Sequence, residues 1–224
     1  MITTASWQFL TDLAQNNNRD WFLANAKRYA DFKENYQSLI AELLREMQAV
    51  DPHLELLTVK HCSFRIYKDL RFSKDKTPYK THLGIWLNTN RNWDNAPGYY
   101  LHLEPGKSFV AGGIYFPGAE QLRKIRREIA FFHDELQELL LEDRFSSYYN
   151  GFDRDENNQL KGGPKDYDKS HPALEFLKLK SFTFSTQITD KEVFSPQFVA
   201  HTLNQFCSMK PLIDFLYRGL ETDE

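Results

Sequence analysis

The residues best equipped for chemistry sit in one stretch, RIYKDLRFSKDKTPYK, residues 65–80. It carries six cations, Arg65, Lys68, Arg71, Lys74, Lys76 and Lys80, against two carboxylates, Asp69 and Asp75. That is +4 locally in a chain whose net charge is −3. Arginine presents a rigid planar fork that meets a carboxylate or phosphate through two hydrogen bonds. Asp69, between Arg65 and Arg71, is placed to orient one guanidinium while the other meets a ligand. Ser73 to Pro78 reads as a turn carrying Lys74 and Lys76. Tyr79 follows Lys76 by three residues, and a nearby ammonium favours phenolate, which makes Tyr79 a candidate proton carrier. This pattern suits capture of an anion. The same charges also fit a solvated hairpin whose cations pair with acidic helices.

The histidines offer a second chemistry. His61, His82 and His102 each fall on the polar phase of an alternating segment, and three imidazoles together suit zinc or another divalent ion. Their spacing is not a metal motif, so no metal site is expected. His102, two residues before Glu104, is a candidate acid/base group. Nucleophilic catalysis has little support: there is no Gly-x-Ser-x-Gly elbow, and Cys62 and Cys207 read as buried reduced thiols. Gly112-Gly113 and Gly162-Gly163 make no nucleotide fingerprint. No cofactor or reaction type follows. Two further basic places extend the list, Arg123, Lys124, Arg126 and Arg127 in QLRKIRRE, and Lys165, Tyr167, Lys169 and His171 in GGPKDYDKSHP.

These residues need elements to position them. Trp7, Leu10 and Leu13 recur at helix spacing behind Thr3 or Thr4 as a cap. Asn16-Asn17-Asn18 interrupts that helix, and Asn18 caps the next with Asp20 in its first turn. Phe32, Tyr36, Leu39, Ile40, Leu43 and Met47 mark a long amphipathic helix that ends before Asp51-Pro52. The period then changes to two. HCSFRIY reads as a strand running from His61 through Asp69, with Arg65, Tyr67 and Asp69 opposite Cys62, Phe64 and Ile66. HLGIWLN, YYLHLE and SFVAGGIYF alternate likewise, joined by turn residues, as an antiparallel meander. A helix from about Glu120 carries Leu122, Ile125, Ile129, Phe132, Leu136 and Leu139 on one stripe. An irregular stretch over 146–171 precedes a short helix, 173–179, and the strand SFTFSTQI. Thr189-x-x-Glu192 is a capping box. Ser195-Pro196 opens a helix, and Pro211 opens the last. The expected fold is one α+β domain over 1–224: helical over 1–52, mainly β over 57–116, mixed over 119–224, with an antiparallel meander flanked by N- and C-terminal helices.

Bulk properties narrow the function. Hydrophobic residues make 41% of the chain and a pI near 6.2 disfavours a general nucleic-acid or membrane-surface coat. No apolar run approaches the ~18 residues that span a bilayer. The first residues lack a basic n-region and an apolar core, so a cytoplasmic protein is expected.

Read as a motif, Arg65-x-x-Lys68-Asp69-x-Arg71-Phe72-x-x-x-Lys76-x-x-Tyr79-x-x-x-x-Gly84 resembles the signature RxxRDxRFxxxKxxYxxxxG of a bacterial and fungal family, domain of unknown function 2461. Lys68 departs from it, standing where the family has arginine. Asn17-Asn18-Arg19-Asp20-Trp21-Phe22, Ile125-Arg126, and Pro164-Lys165-Asp166-Tyr167-Asp168 with His171-Pro172 and Leu179-Lys180 are similar to further family elements. Asp166 stands where a glycine is often found. The resemblance brings no activity with it. It implies a set of positions: Arg65, Asp69, Arg71, Lys76 and Tyr79, joined by Arg19, Arg126, Lys165 and Lys180. Several distant charged positions in one signature suit a shared pocket for a small phosphate- or carboxylate-bearing ligand. The alternatives are a nucleic-acid or protein interaction module, in which aromatics stack bases, and an internal ion-pair network with no ligand.

Overall fold

The computed structural model describes residues 1–71, 75–90 and 95–222. The class is α+β, with a four-stranded antiparallel sheet ordered β1-β2-β3-β4. The strands are β1 (Leu83–Asn88), β2 (Gly98–Leu103), β3 (Phe109–Ile114) and β4 (Phe182–Gln187). All four coincide with the alternating segments, because each pairs a buried face with a partly solvated one: Tyr99, Leu101 and Leu103 are buried while Tyr100 and His102 are not. Contacts divide the chain into two units, one of residues 1–87, 100–110 and 187–203, the other of 88–99, 111–186 and 204–224.

The first unit begins with α1 (Thr4–Gln15), α2 (Arg19–Ala24) and α3 (Ala26–Gln48). Thr3 caps α1 by accepting from the Ser6 amide, and Asn18 caps α2 by accepting from the Trp21 amide at 2.9 Å. The stripe on α3 is buried as its spacing requires, from Phe32 through Met47. The segment expected to be a strand from His61 is different. Residues Val59–Cys62 form a helical turn, α4, behind Thr58, with the His61 ring closing a capping box on the Thr58 amide at 3.1 Å. Beyond it only isolated bridges survive, Ser63 with Ile85 and Tyr67 with Tyr79. The Lys68 amide donates to Pro78 O and the Lys80 amide to Ile66 O, so residues 66–68 and 78–80 make a short ribbon. Pro78 has no N–H to extend that ladder. The expected alternation fails with it: Phe64 is 47% exposed. The turn expected at Ser73–Pro78, with Lys74, lies partly outside the described residues.

The second unit holds α5 (Ala119–Phe131), α6 (His133–Leu141), α7 (Asp143–Ser146) and α8 (Leu174–Leu177). The single helix expected from Glu120 is broken at Phe132, whose φ of −119° and ψ of 38° leave the helical region. Arg218 lies over the Phe132 ring and grips Glu128 of α5 and Glu135 of α6 together, which holds the two helices at the break. The first unit also contains α9 (Asp190–Val193), boxed by Thr189 and Glu192 as read from the sequence. The last two expected helices are one, α10 (Phe198–Glu221), with Pro211 inside it. A proline there removes a hydrogen bond at a cost of about 3 kcal/mol. Phe206, Met209, Leu212, Ile213, Phe215 and Leu216 are all at most 2% exposed, and their burial at about 1.5–3 kcal/mol for each large side chain outweighs it. Among the described residues no helix is long and apolar enough to cross a membrane.

One backbone position fixes the β3–β4 edge. Gly113 has φ +104°, and a Cβ there would stand 1.9 Å from Phe182 O. The Gly113→Ala variant is therefore expected to lose more than about 2 kcal/mol of stability, since it adds left-handed strain to a backbone clash. Urea denaturation checks this, and a midpoint equal to the parent's would refute it.

Candidate functional site

The six cations of residues 65–80 do not act alike. Arg71 makes a bidentate pair with Asp69, at 2.6 Å for the closest contact. Asp69 is held below the usual carboxylate range by that guanidinium. Lys68 donates to Asp75 at 2.7 Å and to Thr77 at 2.6 Å, and the same ammonium is the first cause that depresses the Asp75 carboxyl. Lys76 donates to Leu70 O at 3.1 Å and clasps the turn. Lys74 lies outside the described residues. Both carboxylates of the stretch are thus taken, and among the described residues two cations remain whose side chains make no hydrogen bond within it, Arg65 and Lys80.

Arg65 and Lys80 line one groove of about 860 Å³ in the first unit. Its walls are α3, α4 and the 63–84 arm. Lys33 of α3 and Lys60 of α4 also line it, and among the described residues Glu34 is its one carboxylate. None of these four cations forms an ion pair among the described residues. The Lys80 ammonium is half-buried, 5.2 Å from the Phe64 ring centre, and its pKa is lowered by burial and then by Arg65. Phe64 and Tyr67, 47% and 52% exposed, are groove residues as well.

Local bonds explain how the arm is held. The buried Tyr36 hydroxyl donates to Gly84 O and accepts from the Phe64 amide, tying the arm to β1 and to α3. Burial pushes the Tyr36 hydroxyl up to about 12, so it stays protonated and able to donate. Asn17 does the same at the other end. Its side chain accepts from the Tyr79 amide at 3.1 Å and donates to Tyr79 O at 2.9 Å, as a neighbouring strand would. Phe22 stacks on Tyr79 with ring centres 4.0 Å apart. Tyr79 is 4% exposed, and burial raises its pKa. The expected phenolate beside Lys76 is therefore corrected: Lys76 is occupied at Leu70 O, and Tyr79 packs as a core ring. Arg19 is exposed on α2 and makes no ion pair among the described residues.

The histidines are sorted as well. His61 belongs to the α4 capping box, so the three do not converge. His82 and His102 do, with ring centres 4.5 Å apart. His102 Nδ1 lies 3.1 Å from the Tyr100 hydroxyl and Nε2 lies 3.2 Å from Glu104 Oε2. Burial lowers both imidazole pKa values, that of His82 to about 4. Gly84 makes room for this arrangement: a Cβ there would stand 2.8 Å from the Tyr100 hydroxyl oxygen.

Arg126, Lys165 and Lys180 belong to the second unit. Arg126 donates to Leu179 O at 2.9 Å, and its Nε is buried with no partner among the described residues. Lys180 donates to Asn157 O at 2.6 Å, and Lys165 is exposed. The cations crowded at the start of α5 have a local reason. Lys124 donates to Leu220 O and Arg127 to Thr222 O, satisfying carbonyls at the C-terminal end of α10 where the helix dipole is negative. Sequence reading missed Lys33 and Lys60, whose groove position depends on α3 and α4 meeting the arm. Lys80, although counted, was not singled out. A half-buried lysine without a carboxylate at its own helical or strand neighbours is the signal that would have found it.

Residues 5–215 match the family described as "Conserved hypothetical protein (DUF2461)", and the chain belongs to it. No curated protein and no solved structure matches.

The Asn17→Ala variant is expected to lose about 1–3 kcal/mol, because it strips two hydrogen bonds from the Tyr79 backbone. Denaturant unfolding followed by intrinsic fluorescence measures it, and a loss below about 0.5 kcal/mol would show that Asn17 does not anchor the arm.

Proposed function

We propose that this member of the family binds a small phosphate- or carboxylate-bearing ligand in the groove between α3, α4 and the 63–84 arm. One observation carries the reading: Lys33, Lys60, Arg65 and Lys80 line that groove without an ion pair among the described residues, against the single carboxylate of Glu34. Two of them, Arg65 and Lys80, are close enough for one to depress the other's pKa. An anion between them removes that repulsion and gains charge-assisted hydrogen bonds, at about 1.5–3 kcal/mol each. Arg65 supplies the fork and Lys80 a point charge that its half-burial strengthens. Arg71 and Asp69 shape the arm as a neutral pair, and Lys76 closes its turn. The groove's volume falls within the usual range for small-molecule sites, about 300–1,000 Å³. Exposed Phe64 and Tyr67 favour a ligand that joins its anionic group to a ring or sugar.

Those same two aromatics support a second reading, single-stranded nucleic acid stacked along the arm. Its mark is a steep fall of affinity with salt, with several phosphates neutralised at once.

A thermal-shift and calorimetric screen of inorganic phosphate, sulfate, sugar phosphates, nucleotides, dicarboxylates and a short oligonucleotide tests both. Stabilisation by at least one small anion is expected, and Arg65→Ala or Lys80→Met should weaken it about 10–100-fold. No response to any anion, or an unchanged response in both variants, would overturn the reading. The pH dependence has a definite sign. Lys80 has a pKa lowered from its ordinary value by burial and by Arg65, so its ammonium is lost at a lower pH than an ordinary lysine's. Sulfate, whose charge is constant, should bind more weakly at pH 10 than at pH 7, and Lys80→Met should reduce that dependence.

A further inference from the structure

We propose that His82, His102 and Glu104 form a binding site for a divalent transition-metal ion of the zinc type. The pairing of Thr89 with Pro97, carried down the β1–β2 ladder, sets His82 across from Glu104 with His102 on the diagonal. One ligand atom from each of the three lies within 4.8 Å of the others. His102 Nε2 and Glu104 Oε2 are already 3.2 Å apart. Two ligands at zinc distances of about 2.0–2.1 Å with that separation subtend about 105°, close to the tetrahedral angle. Rotation of the His82 ring out of its stack on His102, which brings the metal into the plane of both rings, completes the set.

The surroundings are those a metal site requires. A ligating imidazole is normally oriented by a hydrogen bond from its other ring nitrogen. His102 has such a partner within reach: Nδ1 lies 3.1 Å from the Tyr100 oxygen, so that when Nε2 ligates a metal Nδ1–H can donate to that oxygen. The ring is backed by Phe109, at 4.7 Å and nearly parallel. Glu104 is held through its other oxygen, Oε1, by Lys107 at 3.8 Å, so Oε2 is the one turned to the histidine. His82 has no hydrogen-bond partner among the described residues, and its ring nitrogens are open for ligation. All three side chains are half-buried, which weakens competition from water. Gly84 admits the Tyr100 hydroxyl that lies against His102 Nδ1.

Two imidazoles and one carboxylate leave a fourth position open, the ligand count of catalytic rather than structural zinc. His82 also lines the basic groove, so the metal site would border the groove proposed to hold anions. The metal site itself does not depend on the anion reading, and its test uses the metal alone.

The full chain, freed of metal with a chelator and dialysed into phosphate-free buffer, is titrated with cobalt(II) and then with zinc(II). One equivalent of cobalt should produce the intense visible bands of a tetrahedral site, and zinc should displace it. His82→Gln, His102→Gln and Glu104→Gln should each weaken binding at least about 10-fold. Tyr100→Phe, which removes only a hydroxyl and preserves the fold, should weaken it about 10–100-fold through the lost orienting bond. No tetrahedral spectrum and no zinc binding in the parent would overturn the proposal. So would unchanged affinity in His102→Gln and Tyr100→Phe, which would place the metal at other histidines.

Discussion

The arrangement of the first unit depends on one buried hydroxyl. Tyr36, projecting from α3, accepts from the Phe64 amide and donates to Gly84 O. It thereby joins three parts of the chain that are far apart in sequence: the helix, the basic arm and the start of β1. The arm has too few ladder bonds to hold itself. It is bridged to β1 at Ser63 and doubled back on itself at Tyr67, and Pro78 stops the pairing there. Without the Tyr36 bonds, Phe64 and Arg65 would lose their fixed place beside α3, and the groove would lose a wall. Burial keeps the phenol protonated, so the donor persists across the physiological range.

The same scarcity of ladder bonds explains the local charge. A short irregular arm must satisfy its own polar groups, and it does so with Lys68–Asp75, Arg71–Asp69 and Lys76 on Leu70 O. These contacts are exposed and contribute little stability individually. What they do is define the turn and consume both local carboxylates. The net +4 that remains belongs to Arg65, Lys74, Lys76 and Lys80, and of these Arg65 and Lys80 line the groove. The anion-binding reading rests on those two groove cations, not on the whole +4.

Much of the fold was legible because periodicity and capping act locally. The caps at Thr3, Asn18 and Thr189 and the four strands need only neighbouring residues to specify them. Three elements were misread for tertiary reasons. His61 to Asp69 alternates like a strand, but Thr58 and His61 cap a helical turn and Pro78 blocks the partner. Pro211 stays inside α10 because the core around Phe206 and Phe215 is worth more than one hydrogen bond. The break at Phe132 is held by Arg218, which lies 86 residues away. The candidate site was legible as a region and not as a constellation. Arg65 could be named from its stretch. Its partners Lys33 and Lys60 could not, because nothing local marks them. Of the histidines, the polar phase of alternation grouped His61 with His82 and His102, whereas the folded chain places Glu104 in its stead. The resemblance pointed to Tyr79 and Gly84 as special positions, and the structure gives each a packing reason: a ring stacked on Phe22, and a space for the Tyr100 hydroxyl.

The central claim is that the groove's uncompensated cations receive an anion. Anomalous diffraction from crystals soaked in bromide locates such anions directly. The account predicts a bromide peak between the Arg65 guanidinium and the Lys80 ammonium, stronger than those at exposed lysines elsewhere. Bromide scattered over the surface with none in the groove would contradict it.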